Sequence, residues 1–189
     1  MDPRAARTRT RLQQALLALA LERDLDEITI GDVAERAGVN RSSFYQHYSD
    51  KDTVLADSLE SVLDDAAAQF RVQLQERPVR GMPAEFGRYL AHVADFAPLY
   101  RRVLGAHGSA VVSARLRQRV EEIVAETVVH SDPRVLAGVP IEVVSAGIAG
   151  SVLGVIAAWV SRDPLPPVQT AADWMESVLQ APARMLADE

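Results

Sequence analysis

Apolar residues in this 189-residue chain recur three and four positions apart almost everywhere, and the every-second-residue alternation of a half-buried strand is absent. That spacing gathers apolar side chains on one face of a helix, so the chain is expected to be all-α. Leu12, Leu16 and Leu19 form the first stripe, in a helix from about Arg4 to Glu22. Leu55, Leu59, Val62, Leu63, Ala66, Phe70 and Leu74 predict a long fourth helix that ends before Pro78. Phe86, Leu90 and Val93 mark another, a short piece lies around Leu99–Leu104, and Val112, Leu116, Val120, Ile123 and Val124 mark a helix from about Ser109 to His130. Ile141–Val160 is long and apolar, and a last helix starts near Val168, where Pro182 is expected to kink or shorten it. The Pro- and Gly-containing stretches 78–83, 106–109, 132–140 and 163–167 read as breaks.

Charge is distributed unevenly. The net charge is −6, yet residues 1–51 carry eight basic and eight acidic side chains, so the acidic excess lies wholly in residues 52–189. Arg4, Arg7, Arg9 and Arg11 face only Asp2 in the first fourteen residues, which concentrates positive charge at one end. That face serves either as an ordinary polar helix surface or as an arm on a nucleic-acid backbone. The chain has no cysteine, which excludes disulfides and thiolate metal sites and fits a cytoplasmic protein. The first residues lack the apolar core of a signal peptide.

The densest local signals fall between Ile28 and Lys51. Thr29 can cap a helix, with Asp32 three residues on as a short capping box. Val33, Ala34 and Ala37 supply its buried side, and Gly38 ends it at a position that calls for positive φ. Asn40 caps a third helix that is expected to reach Tyr48, about 13 Å at 1.5 Å per residue. Two short helices joined by Gly38-Val39-Asn40 meet at a steep angle, as in a helix-turn-helix whose second helix enters a major groove. Phe44 and Tyr48, four apart, are expected to face the core with Val39, leaving Arg41, Ser42 and Ser43 toward base edges. Tyr45 and His47 fit phosphate contacts better than the alternatives, a packing role for the first and an ordinary surface histidine for the second. Lys51 and Thr29, each at a helix start, are placed for phosphates as well.

The segment from Arg9 to about Leu59, and above all AERAGVNRSSFYQHYSDKD, resembles the DNA-binding domain of TetR-family transcriptional regulators. The resemblance implies a reading domain at 1–50, with its motif at 29–48, and a helical dimerisation and effector-binding domain at 51–189. The long fourth helix joins the two. By the same resemblance Thr29, Arg41, Ser42, Ser43, Tyr45, His47 and Lys51 occupy DNA-contact positions, while Gln46 is polar where larger or basic residues are usual. The function implied is that of a sequence-specific, cytoplasmic transcriptional regulator: a homodimeric repressor on a palindromic double-stranded operator, released by a small-molecule effector.

The remaining chain gives weaker signals. Val143 to Val160 contains no charge and is long enough for a membrane span. A buried helix is the preferred reading: Ala146, Gly147, Gly150, Gly154 and Ala157 form a small-residue stripe suited to close helix approach. With Trp174 and Val178 of the last helix, that stripe is the expected dimer interface. Phe70, Phe86, Tyr89, His92, Phe96, Tyr100 and Trp159 are candidate pocket residues, although each suits a core position as well. His47, His92, His107 and His130 form no HExxH motif, and the acid pairs Asp64-Asp65 and Glu121-Glu122 diverge by about 100° on a helix. No catalytic site, metal or cofactor is therefore expected.

Overall fold

The computed structural model describes residues 3–76, 84–106, 108–129 and 138–187. Among these residues the secondary structure is entirely helical, as the spacing of apolar residues implies. The elements are α1 (Pro3–Glu22), a 3-10 turn (Leu25–Glu27), α2 (Ile30–Arg36), α3 (Arg41–Tyr45), α4 (Lys51–Glu76), α5 (Ala84–Asp95), α6 (Ala97–Leu104), α7 (Ala110–Val129), α8 (Ile141–Val160) and α9 (Val168–Ala187). The stretch 78–83 and residues 132–137 of the stretch 132–140, both read as breaks, lie outside the described residues, as do His107 and His130.

The chain divides into two compact units, residues 1–62 with 95–116 and residues 63–94 with 117–189. In the first, α1 packs on α2 and α2 on α3. The expected stripe of Leu12, Leu16 and Leu19 is buried, as are Ile28, Val33, Phe44, Tyr48, Leu55 and Leu59. Burying a side chain of this size contributes about 1.5–3 kcal/mol, so a head in which α2 and α3 are too short to stand alone draws on Leu55 and Leu59 of α4 to complete its core. Ala97, Leu99, Tyr100, Val103, Val112 and Leu116 are the buried residues of α6 and α7 in this unit.

In the second unit α8 and α9 pack together. Ser145, Ala149, Val152, Leu153, Ile156, Trp159 and Val160 form the buried side of α8. The Trp159 indole Nε1 donates to the carbonyl of Pro166 at 2.8 Å, pinning the connection to the helix end. Arg162 lies over the Trp174 ring, 4.8 Å from its centroid. Arg119 bonds Asp64 at 2.5 Å and Glu122 at 2.8 Å, and Arg71 reaches Glu126 at 2.6 Å.

Two helices depart from the expected boundaries. α3 covers only Arg41–Tyr45, because after Tyr45 the chain tightens: the His47 amide bonds the Phe44 carbonyl three residues back. This lets the Tyr48 side chain tuck into the core and frees Asp50 to cap α4, its Oδ1 accepting the Thr53 amide at 2.8 Å. The regular helix is thus about 7.5 Å long rather than 13 Å. At the other end α9 runs through Pro182 to Ala187 and is not shortened there. A proline removes one hydrogen bond of the ladder, a loss that the rest of a twenty-residue helix can carry.

Within the single chain α8 is buried on one side only. It is the described helix long and apolar enough to cross a membrane, and only 33% of its apolar window is buried. Val143, Ala146, Gly147, Gly154 and Ala158 lie exposed on the side opposite the buried stripe.

Candidate nucleic-acid interface

The reading head is assembled by local hydrogen bonds. Thr29 and Asp32 form a reciprocal capping box: the Thr29 hydroxyl accepts the Asp32 amide, and Asp32 Oδ2 accepts the Thr29 amide at 2.8 Å. These bonds from Thr29 hold the Asp32 carboxyl below its ordinary range, with Arg23, 2.9 Å away, adding to the effect. α2 ends in a Schellman motif, with Val39 N–H bonded to Ala34 O at 3.0 Å and Gly38 N–H to Glu35 O at 2.9 Å. The motif requires a left-handed residue, and Gly38 supplies it with φ of 63°. Arg11 Nη2 donates to the Gly38 carbonyl at 3.3 Å, tying α1 to the turn.

Asn40 then starts α3, its Oδ1 accepting the Ser43 amide at 2.7 Å. The same oxygen accepts the Ser42 hydroxyl at 2.7 Å. Phe44 and Tyr48 are buried, 6.0 Å apart between ring centroids, and fix the rotation of the helix as their spacing predicts. Arg41, Ser42, Tyr45 and Gln46 are consequently exposed, while Ser43 and His47 are half-buried. Tyr45 is 49% exposed, and its ring meets Phe44 edge-on with centroids 5.5 Å apart. Its ring lies under Arg41, 5.9 Å from the guanidinium carbon, and its hydroxyl accepts Arg41 Nη2 at 3.4 Å. Arg41 and Tyr45 thus form one unit on the outer surface of the helix.

Thr29 is exposed at the start of α2. Lys51, at the start of α4, is held more firmly than its sequence position suggests. Its ammonium donates to the carbonyls of Leu25 and Ile28, the latter at 2.9 Å. Burial pushes the Lys51 amine below its ordinary pKa, against the opposing pull of Asp26 and Asp52. An ammonium has three donors, so one remains after these two bonds.

Sequence reasoning missed the residues that brace this head from a distance. Arg9 pairs with Asp57 and lies over the Tyr48 ring, 5.2 Å from its centroid. Gln13 Nε2 donates to the Tyr48 hydroxyl at 3.1 Å. Arg115 bonds Asp57 at 2.6 Å and also pairs with Glu60. Arg102 pairs with Asp26 at 3.1 Å, linking α6 to the 3-10 turn. These partners are 35 to 76 residues apart, and no local pattern connects them.

The candidate effector residues distribute over both units. Phe86, Tyr89, His92 and Trp159 belong to the second unit, where Phe86 and Tyr89 are neighbours at 6.1 Å and Trp159 is fully buried. Phe96 and Tyr100 belong to the first, and the Phe70 side chain lies outside the described residues. A cavity of about 570 Å³ in the first unit is lined by none of them; Leu25, Pro98, Leu99, Arg23, Arg101 and Arg102 are among its walls. Among the described residues no three His, Asp or Glu side chains cluster as a metal site. Of the expected interface residues, Gly147 and Gly154 are exposed, Gly150 is half-buried beside Arg117, Trp174 is half-buried and Val178 is exposed.

Comparison with known proteins agrees with this geometry. Residues 13–57 match the family described as bacterial regulatory proteins, tetR family. An uncharacterized HTH-type transcriptional regulator of Bacillus subtilis (strain 168), YxbF, is 41% identical over 51 residues. That match covers 27% of this chain and only 13% of the relative. The fold is similar to that of Thermus thermophilus FadR, a TetR-family repressor solved in complex with lauroyl-CoA, with a TM-score of 0.63, 20% identity and 91% of each chain covered. FadR of Bacillus halodurans, a fatty acid degradation regulator, superposes with a TM-score of 0.64 at 14% identity, over 90% of this chain and 96% of the other. AlkX of Dietzia sp. strain DQ12-45-1b, a TetR-family repressor implicated in n-alkane biodegradation, gives 0.60 at 20% identity over 92% and 95%.

Proposed function

We propose that this chain, whose residues 13–57 match the tetR family of bacterial regulatory proteins, is a cytoplasmic, homodimeric repressor released from a palindromic operator by a small molecule. The observation that carries the reading is the outward-facing Arg41–Tyr45 pair on a helix locked by buried Phe44 and Tyr48. Arg41 offers a planar donor fork suited to guanine O6 and N7, while Ser42, Ser43 and Gln46 flank it for neighbouring bases. Thr29, Tyr45, His47 and the remaining donor of Lys51 take phosphates, which fix register without reading sequence. We assign residues 1–50 to DNA binding and residues 51–189 to pairing and effector control. Binding of effector and operator to one protein obliges each to change the affinity of the other by the same factor.

The uncovered face of α8 supports the homodimer. Val143 is 57% exposed, and on α9 Val178 is 44% and Leu179 38% exposed. Exposed apolar side chains on two packed helices call for a partner. Gly147, Gly150 and Gly154 allow close helix approach, and Trp174 and Val178 extend the surface onto α9. A second copy satisfies it and supplies the second reading head. The effector is assigned to the helical portion, with Phe86, Tyr89, His92 and Trp159 of the second unit as proposed lining. Because one protein of similar fold was solved with lauroyl-CoA, acyl thioesters are the first ligands to try.

Electrophoretic mobility shift with the DNA flanking the chain's own gene tests the reading, with sedimentation reporting the oligomer. A folded dimer that shows no sequence preference at moderate salt would overturn it.

A further inference from the structure

The hydrogen bonds at the start of α3 have a consequence for which bases the helix can read. A serine hydroxyl is both donor and acceptor, so a serine in a major groove ordinarily accepts any base edge. Ser42 is different. Its oxygen lies 2.7 Å from Asn40 Oδ1, and the Ser43 amide donates to that same oxygen at 2.7 Å. The backbone amide fixes which end of the Asn40 side chain points inward: only the carbonyl oxygen can accept an N–H. The atom facing Ser42 is therefore an acceptor, and the Ser42 hydroxyl must supply the proton between them. Turning that proton toward DNA would leave two oxygen lone pairs opposed at 2.7 Å. Ser42 is exposed, so its oxygen remains open to a donor from outside the protein.

Resting on the DNA-reading role proposed above, we propose that Asn40 polarises Ser42 into an acceptor-only reader, so that Ser42 selects a base carrying an exocyclic amine. In the major groove those bases are adenine, through N6, and cytosine, through N4; guanine and thymine present only O6 and O4 at the equivalent place. Arg41, next in sequence, has only donors and takes guanine. Consecutive residues of a helix diverge by about 100°, so the two read different columns of the half-site. The reading helix thus carries opposite polarities on adjacent residues, and Asn40 is a specificity-determining residue that acts through Ser42.

The test uses the full-length dimer and a randomised duplex pool to obtain base preferences, followed by titration of single-column variants. One column should prefer adenine or cytosine. Replacing that base by purine or pyrimidin-2-one, which deletes the amine and keeps the ring, should weaken binding about three- to tenfold, the worth of one hydrogen bond. Ser42→Ala should flatten this column and leave the guanine column sharp. Asn40→Gly is tolerated at a helix cap and removes the acceptor; it should widen the column to guanine and thymine, whereas Asn40→Asp should keep the amine preference. A keto base in the Ser42-dependent column, equal binding of the amine-free analogues, or a column unchanged by Ser42→Ala overturns the proposal. A folded dimer with no preferred column at all overturns the DNA-reading role instead.

Discussion

Asp57 on α4 accepts a hydrogen bond from Arg115 on α7 at 2.6 Å, and the same carboxylate pairs with Arg9 on α1. Its side chain is only 10% exposed, whereas Arg9 and Arg115 are 42% and 34% exposed. One shielded acid therefore bridges two partly solvated cations from different helices, and Glu60 supplies a second negative charge to Arg115. Removing a shielded partner strands the opposite charges, a loss that solvent screening of the arginines moderates. Asp57→Asn is expected to lower unfolding stability by about 1–3 kcal/mol in urea titration, and a variant as stable as the parent would show the link to be incidental.

The same carboxylate sets an acid limit. Burial pushes Asp57 up, but hydrogen bonds from Arg115, Arg9 and Tyr48 together outweigh it and leave its pKa below the ordinary value. Asp32 and Asp50 are lowered as well, by bonds from Thr29 and from Ser49 and Thr53. A group whose folded pKa is depressed contributes stability that is present above its unfolded pKa, about 3.9 for Asp, and disappears as pH falls through the folded value. Melting temperature should hold near pH 5–7 and drop below about pH 4. Asp57→Asn should have a shallower acid limb than the parent.

How much of this was legible beforehand follows from distance along the chain. The Thr29 cap, the left-handed Gly38, the Asn40 cap and the buried Phe44–Tyr48 pair involve residues within four positions of one another, where sequence spacing is geometry. The Asp57 links, the Gln13–Tyr48 bond and the Lys51–carbonyl bonds join residues more than twenty apart, and nothing in their residue types selects one partner over another. α3 came out shorter than its pattern because the His47 amide turns back to the Phe44 carbonyl, a tightening that the apolar spacing does not signal. The aromatic residues of the later helices resisted reading for a different reason: with few aromatics in the chain, core and pocket draw on the same side chains. Tyr100 and Trp159 are fully buried, as core residues would be.

Arg41 and Lys51 should separate when each is replaced. Arg41→Ala is expected to cost about 1–3 kcal/mol of operator binding and to relax one base position. Lys51→Ala should weaken every sequence alike and reduce the slope of log K against log salt by about 0.9, the share of one phosphate. Because Lys51 also bonds the carbonyls of Leu25 and Ile28, its loss should cost folding stability too, about 1–2 kcal/mol, which Arg41→Ala should not. Binding isotherms at several salt concentrations, alongside urea titrations, distinguish these outcomes; equal loss of base preference from both variants would contradict the assignment.

Gly154 offers a way to break the pair without breaking the protomer. A side-chain carbon placed on Gly154 or Gly147 would meet nothing within 4 Å in the single chain. Gly154→Leu should therefore leave each protomer helical by circular dichroism, and exchanging glycine for leucine in a helix favours the helical state. In a close-packed α8 interface the same side chain would force the two copies apart. The expected result is a shift from dimer to monomer in sedimentation and a fall in operator affinity of about 10²–10⁴-fold, the avidity lost when one half-site must be held alone. Gly87 on α5, where a side-chain carbon is equally unopposed, provides the control: Gly87→Leu should remain dimeric and bind as the parent does. A Gly154→Leu protein that stays dimeric with unchanged affinity would place the two-fold contact on some other face.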